Sequence, residues 1–365
     1  MLVIAAKTPI SDKAPQSLQG KPGSGRVLFS ARKYFLKEYG FSGRIKYFGK
    51  IFSKKYPGSK RKVLIMEKVQ LYIRETRPQF LILTLVCVIV GAAVAYWRTG
   101  SVNVFYLIVI LIGALSAHAS VNILNDYLDY KSGLDQCTLK TPFSGGSGIL
   151  PLKQMTPSAA LVFGILTFAL TALIGVYFLV IRGWPLLLVG LPGLILIAFY
   201  TQFITRRPLL CLLAPGIGFG PCIVMGTCYV LQGFYDWTAV AASLVPFFLV
   251  SNLLLLNQYP DVEVDRLVGR CHFPILIGRA KSTYIYISFV IAMYICIFTA
   301  VYMRLLPPLA LISVFPFFIV IRIIRGLLKD SEQIVNVIPL MGQNVIFILL
   351  TPLMLAVGLF ITQAF

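Results

Sequence analysis

From about residue 79 onward the chain alternates between long apolar runs and short polar breaks. Nine runs stand out, at roughly 79–97, 104–125, 158–181, 184–203, 209–232, 237–258, 283–305, 306–326 and 338–363. Each approaches the ~20 residues that a helix needs to cross the hydrocarbon of a bilayer. The runs are continuously apolar instead of alternating, which predicts helices and not the strands of a barrel. Pro307-Pro308 predicts the sharp turn between the seventh and eighth runs. The expected fold is all-α: a polytopic membrane protein of about nine transmembrane helices.

Polar residues enter this pattern in two concentrated sets. Asn122, Asn125, Asp126 and Asp129 lie at i, i+3, i+4 and i+7 at the end of the second run. Asn257, Asp261 and Asp265 follow at steps of four at the end of the sixth. A helix places each set on one face. Beyond residue 78 there are nine Asp and Glu, and six of them (Asp126, Asp129, Asp135, Asp261, Glu263 and Asp265) fall in or beside these sets. Carboxylates so few and so crowded at a membrane edge repel one another unless a cation joins them. A single intramembrane acid is explained by an ion pair, but two like-patterned sets favour a shared site. Their separation of 135 residues suggests two related helical halves facing one cavity.

Oxygen ligands at this spacing suit Mg²⁺, which keeps several waters and is held through one or two carboxylates plus substrate phosphates. Asn122, Asn125, Asp129, Asn257, Asp261 and Asp265 are the candidate ligands. His118 and His272 stand alone, without a partner at ligand spacing for a softer metal. The seven cysteines show no paired spacing, and small apolar core positions account for most of them.

Charge orients the chain. Of 33 Lys and Arg, 30 fall in the N-terminal tail and in the loops holding Asp126, Arg206, Asp265 and Arg325; only Arg98, Arg182 and Arg304 fall in the others. By the positive-inside rule, the N-terminus and both acidic sets face the cytoplasm, in the plasma or inner membrane. Residues 1–75 form a basic cytoplasmic tail and 76–365 the transmembrane domain. Residues 1–78 alone carry +14 of the net +20. No apolar core of signal-peptide length occurs in the first thirty residues, so a cleaved leader is not expected. Phe41, Ile45, Phe48 and Phe52 share a helical face flanked by Arg44, Lys46, Lys50, Lys54 and Lys55. A basic amphipathic helix on an anionic lipid surface explains this pattern, and a solvated tail is the other reading. Nucleic acid is not expected as a partner, since membrane topology already accounts for the charge.

The first long loop holds Thr141-Pro-Phe-Ser-Gly-Gly-Ser-Gly148, a stretch able to cradle phosphate through backbone N–H groups or to serve as a plain turn. Lys131, Arg207 and Arg266 beside the acids are candidates to neutralise diphosphate oxygens, and each also serves as a topology determinant. A diphosphate held by metal leaves readily from an allylic carbon, and a cavity closed to water lets an aromatic acceptor capture the cation. Tyr130 and Tyr200, with Tyr127 and Tyr259, are candidates to stabilise that cation through their ring faces, or to form an interfacial belt.

These residues match a known pattern. Asn125-Asp126-x-x-Asp129, continuing Tyr130-Lys131-Ser132-Gly133-Leu134-Asp135, resembles the first aspartate-rich motif of the UbiA-type intramembrane prenyltransferases. Asp261-Val-Glu-Val-Asp265, followed by Gly269-Arg270, is similar to their DxxxD motif and the glycine-basic step after it. Arg77-Pro78 and Phe219-Gly220-Pro221 with Gly226-Thr227 are weaker matches. The resemblance covers about residues 75–365. It implies a ring of nine transmembrane helices around a central cavity open to the cytoplasmic side, and Mg²⁺-dependent transfer of a polyprenyl group from its diphosphate to an aromatic ring. It also implies metal binding by Asn125, Asp129, Asp261 and Asp265, with Asp126 and Asp135 beside them in catalysis. The Gly-x-Asp ending of the first motif looks like the branch that prenylates 1,4-dihydroxy-2-naphthoate for menaquinone. Ala214-Pro215 stands where many members carry an acidic residue, which bears on the acceptor; chlorophyllide, heme and glycerol phosphate are the other acceptors of the family. Outside the enzyme class, a transporter using intramembrane acids is the competing reading, although transporter acids more often lie at mid-span.

Overall fold

The computed structural model describes residues 59–138 and 140–364, with side chains from residue 66 onward. The face formed by Phe41, Ile45, Phe48 and Phe52 lies outside the described residues. The compact unit that carries the acidic sets runs from Gln70 to Phe365. Helix α1 (Ser59–Glu75) leads into it.

Local chemistry sets the ends of the helices. Pro78 opens α2 (Pro78–Thr99) at a position where its missing N–H costs nothing, and Gly100, at φ 73°, closes it. Asn103 caps α3 (Val104–Ser132), its side chain accepting from the Tyr106 N–H at 3.0 Å, and Gly133 ends it at φ 81°. Thr156 and Pro157 begin α4 (Pro157–Arg182). A shorter apolar helix follows, α5 (Trp184–Phe199), and then α6 (Pro208–Gln232). Asp236 caps α7 (Trp237–Asn257) and also pairs with Arg98 at 2.7 Å, tying the ends of α2 and α7 together. Three more complete the set: α8 (Arg279–Tyr302), α9 (Pro308–Asp330) and α10 (Ile334–Ala364). Pro307 and Pro308 do mark the turn into α9, which starts as a 3-10 segment.

Among the described residues every regular element is helical, and eight helices are long and apolar enough to cross a membrane. The fourth expected span is the exception: α5 is a shorter apolar helix of Trp184–Phe199. The protein is thus an integral, multi-pass membrane protein. Helices α2 and α7 are the most deeply buried, and α4 is the most peripheral, packed against α3.

Lipid tails are as apolar as leucine, so helices in a membrane associate through close packing and interhelical hydrogen bonds instead of the hydrophobic effect. Both devices are present. Gly220 of α6 lies against the α7 backbone at Ser243 and Phe247, and a Cβ there would come within 2.9 Å of the Phe247 Cβ. That stretch of α6, Gly218–Met225, is wound as a π-helix around Pro221. The Asn252 side-chain amide donates to the Tyr286 carbonyl at 2.9 Å, and the Tyr286 hydroxyl donates to Asn344 Oδ1 at 2.8 Å. These bonds join α7, α8 and α10 in sequence. The central cavity is lined from α2 to α7 and by α10, whereas α8 and α9 contribute no wall and pack behind α7 and α10.

Candidate active site

The cavity has a volume of about 580 Å³. Helix α3 presents one continuous stripe to it, its residues recurring at steps of three and four with Val121 and Asn122 adjacent. Ile110, Ala114, Ala117 and Val121 make the apolar part, and Asn122, Asn125 and Asp129 the polar end. The sequence places these residues on one face because α3 runs unbroken to Gly133. From the other side come Asn257, Asp261 and Asp265, which line the same polar end together with Asp135. Their spacing of four does not arise from one helix, as the sequence implies. Helix α7 stops at Asn257, the chain turns through Gln258–Pro260, and a short helix resumes at Val262–Leu267. Pro260 cannot donate a backbone hydrogen bond, so a continuous helix is broken there.

Two arginines organise these acids. Arg270 donates from Nη1 to Asp265 Oδ1 at 2.9 Å and from Nη2 to Asp129 Oδ1, so a single guanidinium bridges the two walls. Burial works against its charge, but Asp129 and Asp265 outweigh it and raise its pKa. Gly269, at φ 78°, makes the turn that aims Arg270 inward. Asp265 is held from its other oxygen as well, with His272 Nε2 at 3.0 Å from Oδ2. The second arginine, Arg77, pairs with Asp126 Oδ1, while the Ser147 N–H donates to Asp126 Oδ2 at 2.7 Å.

The glycine-rich loop closes the polar end. Phe143, Ser144, Gly145 and Gly146 line the cavity, and Ser144 Oγ lies 3.4 Å from Asp261 Oδ1. Ser147 Oγ donates to Glu75 Oε2 at 2.7 Å, anchoring the loop to the end of α1. Gly146 takes φ 67°, and a Cβ on it would sit 3.2 Å from Asp135 Oδ1 and 3.3 Å from Arg77 Nη2. The loop therefore approaches the charged groups by its backbone, as a phosphate-binding loop must.

Two carboxyls remain poorly compensated. Burial and the neighbouring Asp129 push the Asp135 carboxyl up to about 7. Burial and Asp265 push Asp261 up to about 7 as well. Asp135 Oδ2 and Asn257 Oδ1 are buried without a hydrogen-bond partner. The amide nitrogens of Asn122 and Asn125 are tied back to the Thr76 carbonyl at 3.0 Å and to Thr201 Oγ1 at 3.1 Å. Such unspent oxygens at one spot are costly unless something cationic meets them.

The structure brings Asn122, Asn125, Asp129, Asp135, Tyr200, Asn257, Asp261 and Asp265 to one cavity. It places other expected residues elsewhere. Asp126 is buried beside the cavity but does not line it, because both of its oxygens are engaged by Arg77 and the Ser147 N–H. Tyr130 faces away, packed with Tyr127 and Leu71 against an apolar cluster around Ile123 and Ile149. Lys131, Arg207 and Arg266 do not line the cavity. Lys131 is two residues from Asp129, about 200° around the helix, and is exposed. Arg207 is exposed at the start of α6, and Arg266, one step past Asp265, pairs loosely with Glu263 at 3.8 Å. The basic lining comes instead from Arg77 and Arg270. His272, isolated in sequence, reaches Asp265 only because the chain turns at Gly269.

An all-helical, multi-pass membrane protein whose arginine-bridged acidic chamber opens into an apolar cavity has the form of an enzyme that acts on oily, charged-headed molecules within the bilayer. The chain belongs to the UbiA prenyltransferase family, whose sequence profile matches residues 84–338, and it is a prenyltransferase. It is 29% identical over 224 residues to a 1,4-dihydroxy-2-naphthoate octaprenyltransferase of Bacillus subtilis (strain 168), covering 60% of this chain and 69% of that one. In fold it is similar to a digeranylgeranylglyceryl phosphate synthase, with a TM-score of 0.59 at 16% identity over 80% of this chain and 99% of the other. It is also similar to a UbiA homologue from Archaeoglobus fulgidus bound to GPP and Mg²⁺, with a TM-score of 0.54 at 15% identity over 78% and 99%.

Proposed function

We propose that the protein transfers a polyprenyl group from its diphosphate to an aromatic acceptor of the dihydroxynaphthoate type, with Mg²⁺, at the cytoplasmic face of the plasma or inner membrane. The observation that carries this reading is the convergence of both acidic sets on one polar end of a cavity whose remainder is apolar. That shape fits a diphosphate head and an isoprenoid tail. The naphthoate acceptor is supported by the named Bacillus relative.

The donor set fits Mg²⁺. It consists of amide and carboxylate oxygens, of which Asn257 Oδ1 is buried without a protein partner, as is Asp135 Oδ2 beside them. Among the described residues no three His, Cys, Asp or Glu side chains gather into a ready-made cage. A metal held by these oxygens would be completed by substrate phosphate and water, the usual habit of Mg²⁺. Asn125, Asp129, Asn257, Asp261 and Asp265 would hold it, with Asn122 adjoining. When bound, Mg²⁺ supplies positive charge to the departing diphosphate oxygen. Arg77 and Arg270 are the guanidinium groups placed to hold the remaining diphosphate oxygens, and the glycine-rich loop offers backbone N–H groups. The bond from C1 of the prenyl group to oxygen breaks with its electron pair leaving on diphosphate. The new bond forms to a ring carbon, which then releases its proton.

Purified protein incubated with Mg²⁺, labelled prenyl diphosphates and a panel of dihydroxynaphthoate, hydroxybenzoate and glycerol phosphate should give a prenylated naphthoate by mass. A prenylated glycerol phosphate instead would overturn the acceptor. Asp129→Ala and Asp261→Ala should each lower product by on the order of a hundredfold or more while the protein stays folded in detergent. Near-normal turnover in either would refute the two-walled metal site.

A further inference from the structure

We infer that His118 is the residue that binds and orients a ring hydroxyl of the acceptor; this rests on the aromatic-acceptor reading above. His118 lies on the cavity stripe of α3, one turn (~6 Å) before Asn122. It therefore sits at the junction between the polar end and the apolar remainder. Its ring is fixed from both sides. Nδ1 is 2.7 Å from Thr84 Oγ1 of α2, and the ring stands edge-on to Phe219 of α6, with centroids 4.9 Å apart and planes at 84°. Phe219 lines the cavity too.

Nothing in the metal and diphosphate chemistry uses this histidine. Asp126, Asp129 and Asp265 are engaged by Arg77, Arg270 and His272, and among the described residues His118 bonds to none of the cavity's acids. Nε2 has no hydrogen-bond partner among the described residues, and His118 is on the cavity wall. A polar ring atom in an otherwise apolar stretch of wall is unfavourable without a partner, so a polar atom of the bound molecule is its natural complement. The prenyl tail has no such atom, whereas a hydroxylated aromatic ring has one beside the carbon that is alkylated. Phe219 offers that ring an aromatic edge or face to pack on. The Thr84 contact fixes the ring's orientation, so Nε2 presents one fixed hydrogen-bonding atom to the acceptor. Because a site built to hydrogen-bond a hydroxyl rejects the analogue that lacks it, His118 acts as a specificity residue.

The test crosses protein variants with acceptor variants. His118→Phe keeps an aromatic ring against Phe219 and removes the hydrogen bond; His118→Gln restores a polar side chain. Acceptors are the dihydroxynaphthoate and its two mono-methyl ethers. The native enzyme should lose roughly tenfold or more in kcat/KM when the recognised hydroxyl is methylated. In His118→Phe the acceptor KM should rise by about tenfold, the KM for prenyl diphosphate should stay within about twofold, and the discrimination between hydroxyl and ether should vanish. His118→Gln should regain part of that discrimination. If His118→Phe misfolds, His118→Gln carries the comparison, with a reduced preference for the hydroxyl as the expected result. If either folded variant discriminates the ethers as sharply as the native enzyme, His118 does not bind the acceptor hydroxyl. Failure of the native enzyme to prenylate any of the aromatic acceptors would instead overturn the acceptor class.

Discussion

Asp126 and Asp129 sit three residues apart on α3, yet the structure gives them different surroundings. Asp129 lines the cavity and meets Arg270 from the opposite wall, while Asp126 is spent on Arg77 and the Ser147 N–H. The same contrast divides the basic residues. Arg270 holds a carboxylate from each wall, and Arg266 stands exposed four residues earlier. Removing Arg270 leaves two buried acids without their counter-charge and takes a guanidinium from the diphosphate end. Arg270→Gln should therefore lower kcat/KM for prenyl diphosphate by on the order of a hundredfold. Arg266→Gln, Arg207→Gln and Lys131→Gln should each stay within about threefold, as exposed single charges do. Steady-state kinetics on the four purified variants checks the ranking, and an Arg266 or Arg207 effect as large as that of Arg270 would reverse it.

At the scale of elements, the second acidic set shows how a broken helix serves the site. The interruption at Gln258–Pro260 lets Asn257 stay on α7 while Asp261 and Asp265 swing in on a separate short helix. Ser144 and Arg270 then hold that short helix against α3 and its loop. The same economy of space governs α6 and α7. Gly220 permits backbone contact at Ser243 and Phe247, and the cavity wall at Phe219 depends on that spacing. Gly220→Ala should force α6 away from α7 and cost about 1–3 kcal/mol, seen as a lower melting temperature in detergent. Gly190, which has nothing within 4 Å of its Cβ position, is the control, and Gly190→Ala should melt close to the native protein. Equal melting of both variants would show that the α6–α7 contact is slack.

For the whole molecule, one polar end must serve both acidic sets, so both must lie on one side of the bilayer. Single cysteines placed in the 126–157 and 259–282 loops should react with a membrane-impermeant maleimide only from the cytoplasmic side, and one near Asp236 only from the other side. Labelling of the two loops from opposite sides would contradict a shared chamber. The basic tail is expected to be separable from the chemistry. Among the described residues, Glu75 at the end of α1 and Thr76 and Arg77 just after it bond to the chamber's residues. A chain beginning at Lys68 should insert and transfer prenyl groups within a few-fold of the full chain. What it should lose is attraction to anionic vesicles, about 1 kcal/mol per basic residue near the surface. A folded but inactive truncation would place part of the site in the tail.

The sequence by itself determined the class, eight of the nine expected spans and the two walls. Twenty apolar residues in a row have only one stable form in lipid, and the spacing of Asn122, Asn125 and Asp129 on an unbroken helix leaves only one face for them. It also carried Asp261 and Asp265 to the right cavity, though for a reason other than helical spacing, since Pro260 breaks the helix between Asn257 and Asp265. What only the tertiary structure decided is which charges meet. Lys131, Arg266 and Arg270 are alike as basic letters beside acidic motifs, and Arg207 as one in a loop between spans. Their roles diverge because Gly269 turns the chain and points Arg270 across a gap of 141 positions to Asp129. Glu75, His118 and His272 were likewise invisible as a group, and Arg77 showed only as part of a weak motif, for no local period joins residues drawn from the end of α1, the start of α2, α3 and the loop after Gly269. Periodicity records which face of one element a residue occupies, and pairing across elements depends on distances that exist only after the helices have packed.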